Sequence, residues 1–126
     1  MVLAGLDFGL KKVGVAIASS TLSEPYSVIR YVDFDELIKK IKQICEKEHV
    51  EKIVVGISEG EMAEKTKVFS DKLKQLINIP VEFFDETLTT HYAQKLAIEA
   101  GVKRSKRKRM EDAYSASVML QNYLDR

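Results

Sequence analysis

Two apolar runs stand almost back to back at the start of the chain, residues 2–8 and 13–18, with only Gly9-Leu-Lys-Lys12 between them. Each is too short for a helix of ordinary length and too rich in valine, isoleucine and leucine for a loop. A link this short between them predicts a hairpin, with strands over about 2–8 and 12–19. Gly9 suits the turn because a left-handed conformation costs it nothing. The first run also contains Asp7. A carboxylate inside a strand is expensive unless a cation or hydrogen bonds compensate it, and a bound metal ion is one compensation that fits.

The remaining pattern alternates strands with helices. Pro25 opens a third strand, Tyr26 to Val32, since a strand start tolerates the missing N–H. Asp33-Phe-Asp-Glu36 reads as an N-cap and capping box. It starts a helix running to about Glu48, with Leu37, Ile41, Ile44 and Cys45 on one face. Lys52-Ile-Val-Val-Gly-Ile57 is the short, apolar run of a strand covered on both sides. Ser58-Glu-Gly-Glu61 reads as a second capping box, placing a helix start near Glu59, with Met62, Phe69, Leu73 and Leu76 inward. Pro80 opens a fifth strand, Val81 to Asp85. Thr87, Thr89 or Thr90 caps a third helix carrying Ala93, Leu96, Ala97 and Ala100, which Gly101 ends. A last helix carries Ala113, Ala116, Met119, Leu120, Tyr123 and Leu124. The order β-β-β-α-β-α-β-α-α implies one α/β domain over 1–126, a mixed five-stranded sheet with helices on both faces.

No apolar run approaches the roughly 18–20 residues that span a bilayer, and the strand pattern at residue 1 leaves no place for a signal peptide. The one cysteine, Cys45, excludes a disulfide framework and a cysteine-rich zinc site and reads as a buried thiol. These features suit a soluble cytoplasmic protein. His49 closes a helix, where a cation is favourable, and His91 suits a cap or a surface. No P-loop, GxSxG or HExxH pattern is present.

Three carboxylate positions lie at element ends: Asp7 on strand 1, Asp85-Glu86 on strand 5, and Glu111-Asp112 at the start of the last helix. Sites in α/β sheets form at the carboxyl ends of strands. Asp112 stands one turn before Ala116 and two before Leu120, so it shares the inward face, whereas Glu111 is rotated about 100° away. On strand 5 alternation groups Asp85 with Phe83 and Glu86 with Phe84, and periodicity leaves both open. Three converging carboxylates would hold Mg²⁺ or Mn²⁺, hard ions that take oxygen ligands. Two such ions activate a water and stabilise a leaving oxygen in phosphodiester hydrolysis. The bland alternative is helix caps and surface charges, an acid in a helix's first turn being ordinary.

The net charge of +1 conceals a concentration of cations. Lys103, Arg104, Lys106, Arg107, Lys108 and Arg109 occupy six of seven positions, and the remainder holds 14 basic against 19 acidic residues, −5. Cations at a helix start oppose its dipole and repel one another. A phosphate backbone would compensate them, with sequence-independent affinity. Without interleaved aromatics, no stacking platform for single strands is evident.

Taken in order, Leu6-Asp-Phe-Gly-Leu-Lys-Lys-Val-Gly-Val-Ala16, Ile53-Val-Val-Gly56, Asp85-Glu-Thr-Leu-Thr-Thr90, Arg104-Ser-Lys-Arg-Lys108 and Asp112-Ala-Tyr-Ser-Ala116 resemble the YqgF family, also called RuvX-like, over essentially the whole chain. The resemblance implies an RNase H-like fold and a divalent-metal nuclease. Bacterial members are associated with maturing the 5′ end of 16S rRNA, and Holliday-junction resolution is the older assignment. By motif, Asp7, Glu86 and Asp112 match the family's acids, which selects Glu86 on strand 5. Two positions depart: Thr87 stands where the family usually has a phosphate-binding Arg, and Ser58-Glu-Gly-Glu-Met62 replaces a Leu-Pro and glycine-rich loop.

The leading expectation is thus a metal-dependent endonuclease acting on structured RNA, as monomer or homodimer. The alternatives are a Holliday junction resolvase acting on branched DNA and a noncatalytic nucleic-acid-binding module. A sugar-kinase-like nucleotide binder, also suggested by Asp-x-Gly before a strand, would need a second such domain.

Overall fold

The computed structural model describes the backbone of residues 1–85 and 104–126, and the side chains of 1–85 and 109–126. Five strands, β1 (Leu3–Phe8), β2 (Lys12–Ala18), β3 (Ser23–Arg30), β4 (Lys52–Ile57) and β5 (Val81–Asp85), form one sheet in the order β3-β2-β1-β4-β5. The described helices are α1 (Phe34–Glu48), α2 (Glu61–Leu76) and α3 (Arg104–Asp125). β1, β2 and β3 pair antiparallel, while β1, β4 and β5 are parallel. The sheet is therefore mixed, as the hairpin followed by crossovers requires. The helix expected over about 88–100 and its threonine caps lie outside the described residues.

Alternation along each strand divides the sheet into two faces. Leu6, Phe8, Val13, Val15, Ile53 and Val55 pack with Leu37, Ile41, Phe69 and Leu73 of α1 and α2. Phe8 stacks on Phe69 at 4.7 Å between ring centroids. On the other face Leu3, Ala16, Ala18 and Val54 pack with Ala116, Met119, Leu120 and Tyr123 of α3. α1 begins as its sequence proposes, with Asp33 Oδ1 accepting from the Glu36 N–H at 2.8 Å. It ends on His49, whose left-handed backbone (φ 57°) donates its N–H to the Cys45 carbonyl. Burial of Cys45 pushes its thiol up to about 11.

Five local expectations are corrected. Leu76, read as inward, is 47% exposed in the last turn of α2. Gly60, not Ser58, is the N-cap of α2, which starts at Glu61 without a side-chain cap. Its φ of 75° and ψ of −147° fall in a region open essentially to glycine alone, so backbone geometry replaces the capping box. Gly9 is not left-handed; a Cβ there would stand 2.7 Å from the Lys12 carbonyl oxygen, so the tight turn needs its missing side chain. β3 starts at Ser23, and Pro25 sits within it, opposite Ala16 where the register shifts. An edge strand at a bulge accommodates proline because no ladder donor is lost. The last helix starts at Arg104, which puts Asp112 in its third turn rather than its first.

Candidate active site

Gly14 is where β2, the ladder neighbour of Asp7, receives the backbone of Asp112. In the β1–β2 ladder Asp7 is the direct partner of Gly14, and such partners lie roughly 4.5–5.5 Å apart at Cα, with side chains on one face. A Cβ built on Gly14 would sit 1.9 Å from the Asp112 carbonyl oxygen. The backbone of α3 thus rests directly on β2, beside Asp7, in space that only glycine leaves. The same helix row continues one turn at a time: a Cβ on Gly5 would lie 3.3 Å from the Ala116 carbonyl oxygen and 3.0 Å from Leu120 Cβ. Residues 112, 116 and 120 form a ridge at i, i+4 spacing that lies along a glycine-lined groove. The inward placement read from periodicity holds, and the third-turn position removes the helix dipole as a reason for Asp112, since that field fades after the first turn.

Asp112 is only 28% exposed in its side chain, and its Oδ2 is buried without a hydrogen bond. Lys12 Nζ lies 3.1 Å from that oxygen as an ion-pair partner lacking hydrogen-bond alignment. Lys12 and Gly14 are two residues apart on β2, so they share the face of Asp7. Neither stood out in the sequence as a site residue. The available signal was Gly14 itself, a glycine within a run of strand formers, which marks close backbone approach.

Strand 5 resolves in part. Phe84 is level with Gly56, and Gly56 with Asp7, so Phe84 shares the face of Asp7. Phe84 accordingly packs on the α3 side, while Phe83 packs on the α1–α2 side. Asp85 follows Phe83 by two residues and belongs to that second face, away from Asp7. Glu86 lies outside the described residues, as do Thr87, His91 and Lys103. Among the described residues no three His, Cys, Asp or Glu side chains come together; Asp7 and the backbone of Asp112 are both neighbours of Gly14.

The basic segment from Arg104 onward is helical and forms the first turns of α3. Arg109 is exposed and three residues before Asp112, on a neighbouring helix position. Glu111 is half-buried. β3 and β4 both run in the direction of β1, so α1 and α2, which follow them, begin at the end of the sheet where Asp7 lies, and α3 begins there too. Three helix N-termini, each with partial positive charge, therefore share one edge.

The far end of α3 is anchored by side chains. Tyr123 Oη accepts from Lys52 Nζ at 2.7 Å and donates to Glu82 at 2.7 Å. Its hydrogen bonds raise Lys52 and lower Glu82 from their ordinary pKa values, behind the larger effect of the Lys52–Glu82 pair itself. Gln121 clamps the β2–β3 turn, accepting from the Ser23 N–H at 2.8 Å and donating to the Thr21 carbonyl at 2.9 Å. These contacts set the register of α3 on the sheet and, through it, the height of Asp112.

The donor set suits a hard divalent cation. It offers carboxylate oxygens, one of them buried and without a hydrogen bond, facing a position already balanced by an ammonium.

The fold, a mixed five-stranded sheet with helices on both faces, is that of RNase H-like proteins, and the family whose model matches the chain makes it a nuclease, a hydrolase of phosphodiester bonds. The fold resembles a Thermus thermophilus RuvC in complex with a Holliday junction substrate (TM-score 0.65, 13% identity, 99% of this chain and 95% of that one). It also resembles the fowlpox virus Holliday junction resolvase (TM-score 0.63, 10% identity, 99% of both chains). The family model described as "RuvX: Holliday junction resolvase" matches residues 1–126, and the chain belongs to that family. A relative from Caldanaerobacter subterraneus subsp. tengcongensis, by name a candidate pre-16S rRNA nuclease, is 42% identical over 99% of this chain and 96% of its own length. A Streptococcus thermophilus relative of the same name is 38% identical over 100% and 99%.

Proposed function

We propose that this protein is a divalent-metal-dependent endonuclease that cleaves structured RNA, trimming the 5′ end of pre-16S rRNA. The observation that carries the reading is the seating of Asp112 against Gly14, beside Asp7, with a buried carboxylate oxygen lacking a hydrogen bond. Asp7 and Asp112, joined by Glu86, would hold Mg²⁺ or Mn²⁺. A bound ion of this kind supplies Lewis acidity and lowers the pKa of a coordinated water. Support for Glu86 over Asp85 comes from Asp85 belonging to the opposite face of the sheet, and from the family motif.

The chain's own residues do the rest. The basic run Lys103, Arg104, Lys106, Arg107, Lys108 and Arg109 neutralises phosphates along the strand approaching the acids. Arg109, exposed beside Asp112, is the described member of that run nearest the site. The three helix N-termini at this edge favour the same anionic partner. The names of the sequence relatives support RNA as substrate.

Asp7→Asn tests the reading. Cleavage of a pre-16S 5′ leader should fall at least about a hundredfold, the scale on which loss of a charge-stabilising group acts, with the melting temperature nearly unchanged. Equal cleavage by variant and wild type would overturn it. Branched DNA is the second reading, favoured by the description of the family model. Competition between the RNA leader and a four-way DNA junction ranks the two by kcat/KM.

A further inference from the structure

Lys12 is placed in a way that a surface cation does not need to be. Its ammonium meets the buried oxygen of Asp112 at 3.1 Å, yet its side chain is 38% exposed and free to turn outward. Across the ladder its direct partner is Arg30 on β3, an exposed residue on the same face. Like charges directly opposite one another are destabilising. Asp112 relieves that repulsion as long as its carboxylate is available to Lys12.

We infer that Lys12 competes with the divalent cation for Asp112: it holds that carboxylate until an ion arrives, then turns with Arg30 to a phosphate of the bound nucleic acid. The inference rests on the nuclease reading and adds to it a residue that couples metal loading to substrate grip. Three features of the structure carry it. The oxygen Lys12 neutralises is the buried carboxylate oxygen without a hydrogen bond. The pair lacks hydrogen-bond alignment, so little is lost when it breaks. Breaking it leaves two unbalanced cations, Lys12 and Arg30, adjacent at the edge where the helix N-termini converge, which is the arrangement a polyanion relieves.

The test uses the full chain and Mn²⁺ as probe, first without nucleic acid. By titration calorimetry, Lys12→Gln should bind Mn²⁺ about two- to fivefold tighter than wild type, the range expected when a partly exposed ion pair no longer competes. Lys12→Arg, which keeps the cation, should restore wild-type affinity. RNA binding is then measured in EDTA, where Lys12→Gln and wild type should match because Lys12 is held by Asp112. In steady-state cleavage with Mn²⁺ the variant's KM should rise several-fold, with a shallower salt dependence. Equal or weaker Mn²⁺ binding by Lys12→Gln overturns the inference and leaves the nuclease reading standing. Equal weakening of RNA binding with and without metal also overturns it, since Lys12 would then touch phosphate at all times. Absence of Mn²⁺ binding by folded wild-type protein would remove the nuclease reading and this inference together.

Discussion

Opposite Phe69 the sheet presents Leu6, Phe8, Val13 and Val55; opposite Leu120 it presents Gly5, Ala16 and Ala18. The α1–α2 face is thick, built from large side chains and a stacked aromatic pair at 4.7 Å. The α3 face is thin, and at Gly14 helix backbone rests on strand backbone. The first arrangement removes much apolar surface from water, at about 25 cal/mol per Å². The second gives up part of that burial, and the helix backbone at Asp112 comes down onto Gly14, the ladder partner of Asp7. On the proposed reading, stability and chemistry fall to different sides of one sheet.

That division is open to direct attack. Phe69→Ala should cost the most, about 3–5 kcal/mol, read from denaturant midpoints, while Mn²⁺ affinity of the folded fraction stays at the wild-type value. Collapse of metal binding in folded Phe69→Ala would show that the faces are not independent. Gly14→Ala should cost about 1–3 kcal/mol through overpacking, less than Phe69→Ala, yet abolish measurable Mn²⁺ binding because Asp112 is pushed off the sheet. Retained metal affinity in that variant would mean that the close approach does not serve the site.

The smallest effect belongs to the anchor at the far end of α3. Glu82 is held below its ordinary value of 4.5 by Lys52 and then by Tyr123. A depressed carboxyl contributes stability above its unfolded-state pKa and loses it as pH falls through the folded-state value. The stability gap between wild type and Glu82→Gln should therefore be constant from neutrality to about pH 5 and close below 4.5. Lys52 runs the other way: its raised value makes its contribution present below the ordinary lysine pKa of 10.5 and lost only at higher pH. A gap that does not narrow at all as pH falls below 4.5 would assign Glu82 a role other than its ion pair.

Much of the thick face was legible in order. Leu37, Ile41, Phe69 and Leu73 repeat at helical spacing, the hairpin follows from two strand runs and a short link, and Asp33 caps α1 as its sequence proposes. Local chemistry sufficed there because burial and capping are set within a few residues. Two capping and turn readings failed at glycines. At Ser58 the side-chain pattern suggested a capping box, and the backbone instead turns at Gly60 in a conformation glycine permits; at Gly9 the turn needs the absence of a Cβ and not a left-handed φ. The site was legible only as a list of acids. Periodicity turned Asp112 inward but placed it in a first turn, where a helix dipole would account for it, and the helix in fact begins at Arg104.

The sequence by itself determined the order of the described strands and helices, the apolar side of most of them, and that Asp7 needed compensation. Tertiary structure alone decided that α3 meets β2 at Gly14, that Asp85 belongs to the face opposite Asp7, and that Lys12 is the cation on Asp112. Alternation and helical period act over a few residues and are written in the chain. The approach of two distant backbones depends on the space that absent side chains leave, and that appears only when β2 and α3 are packed together.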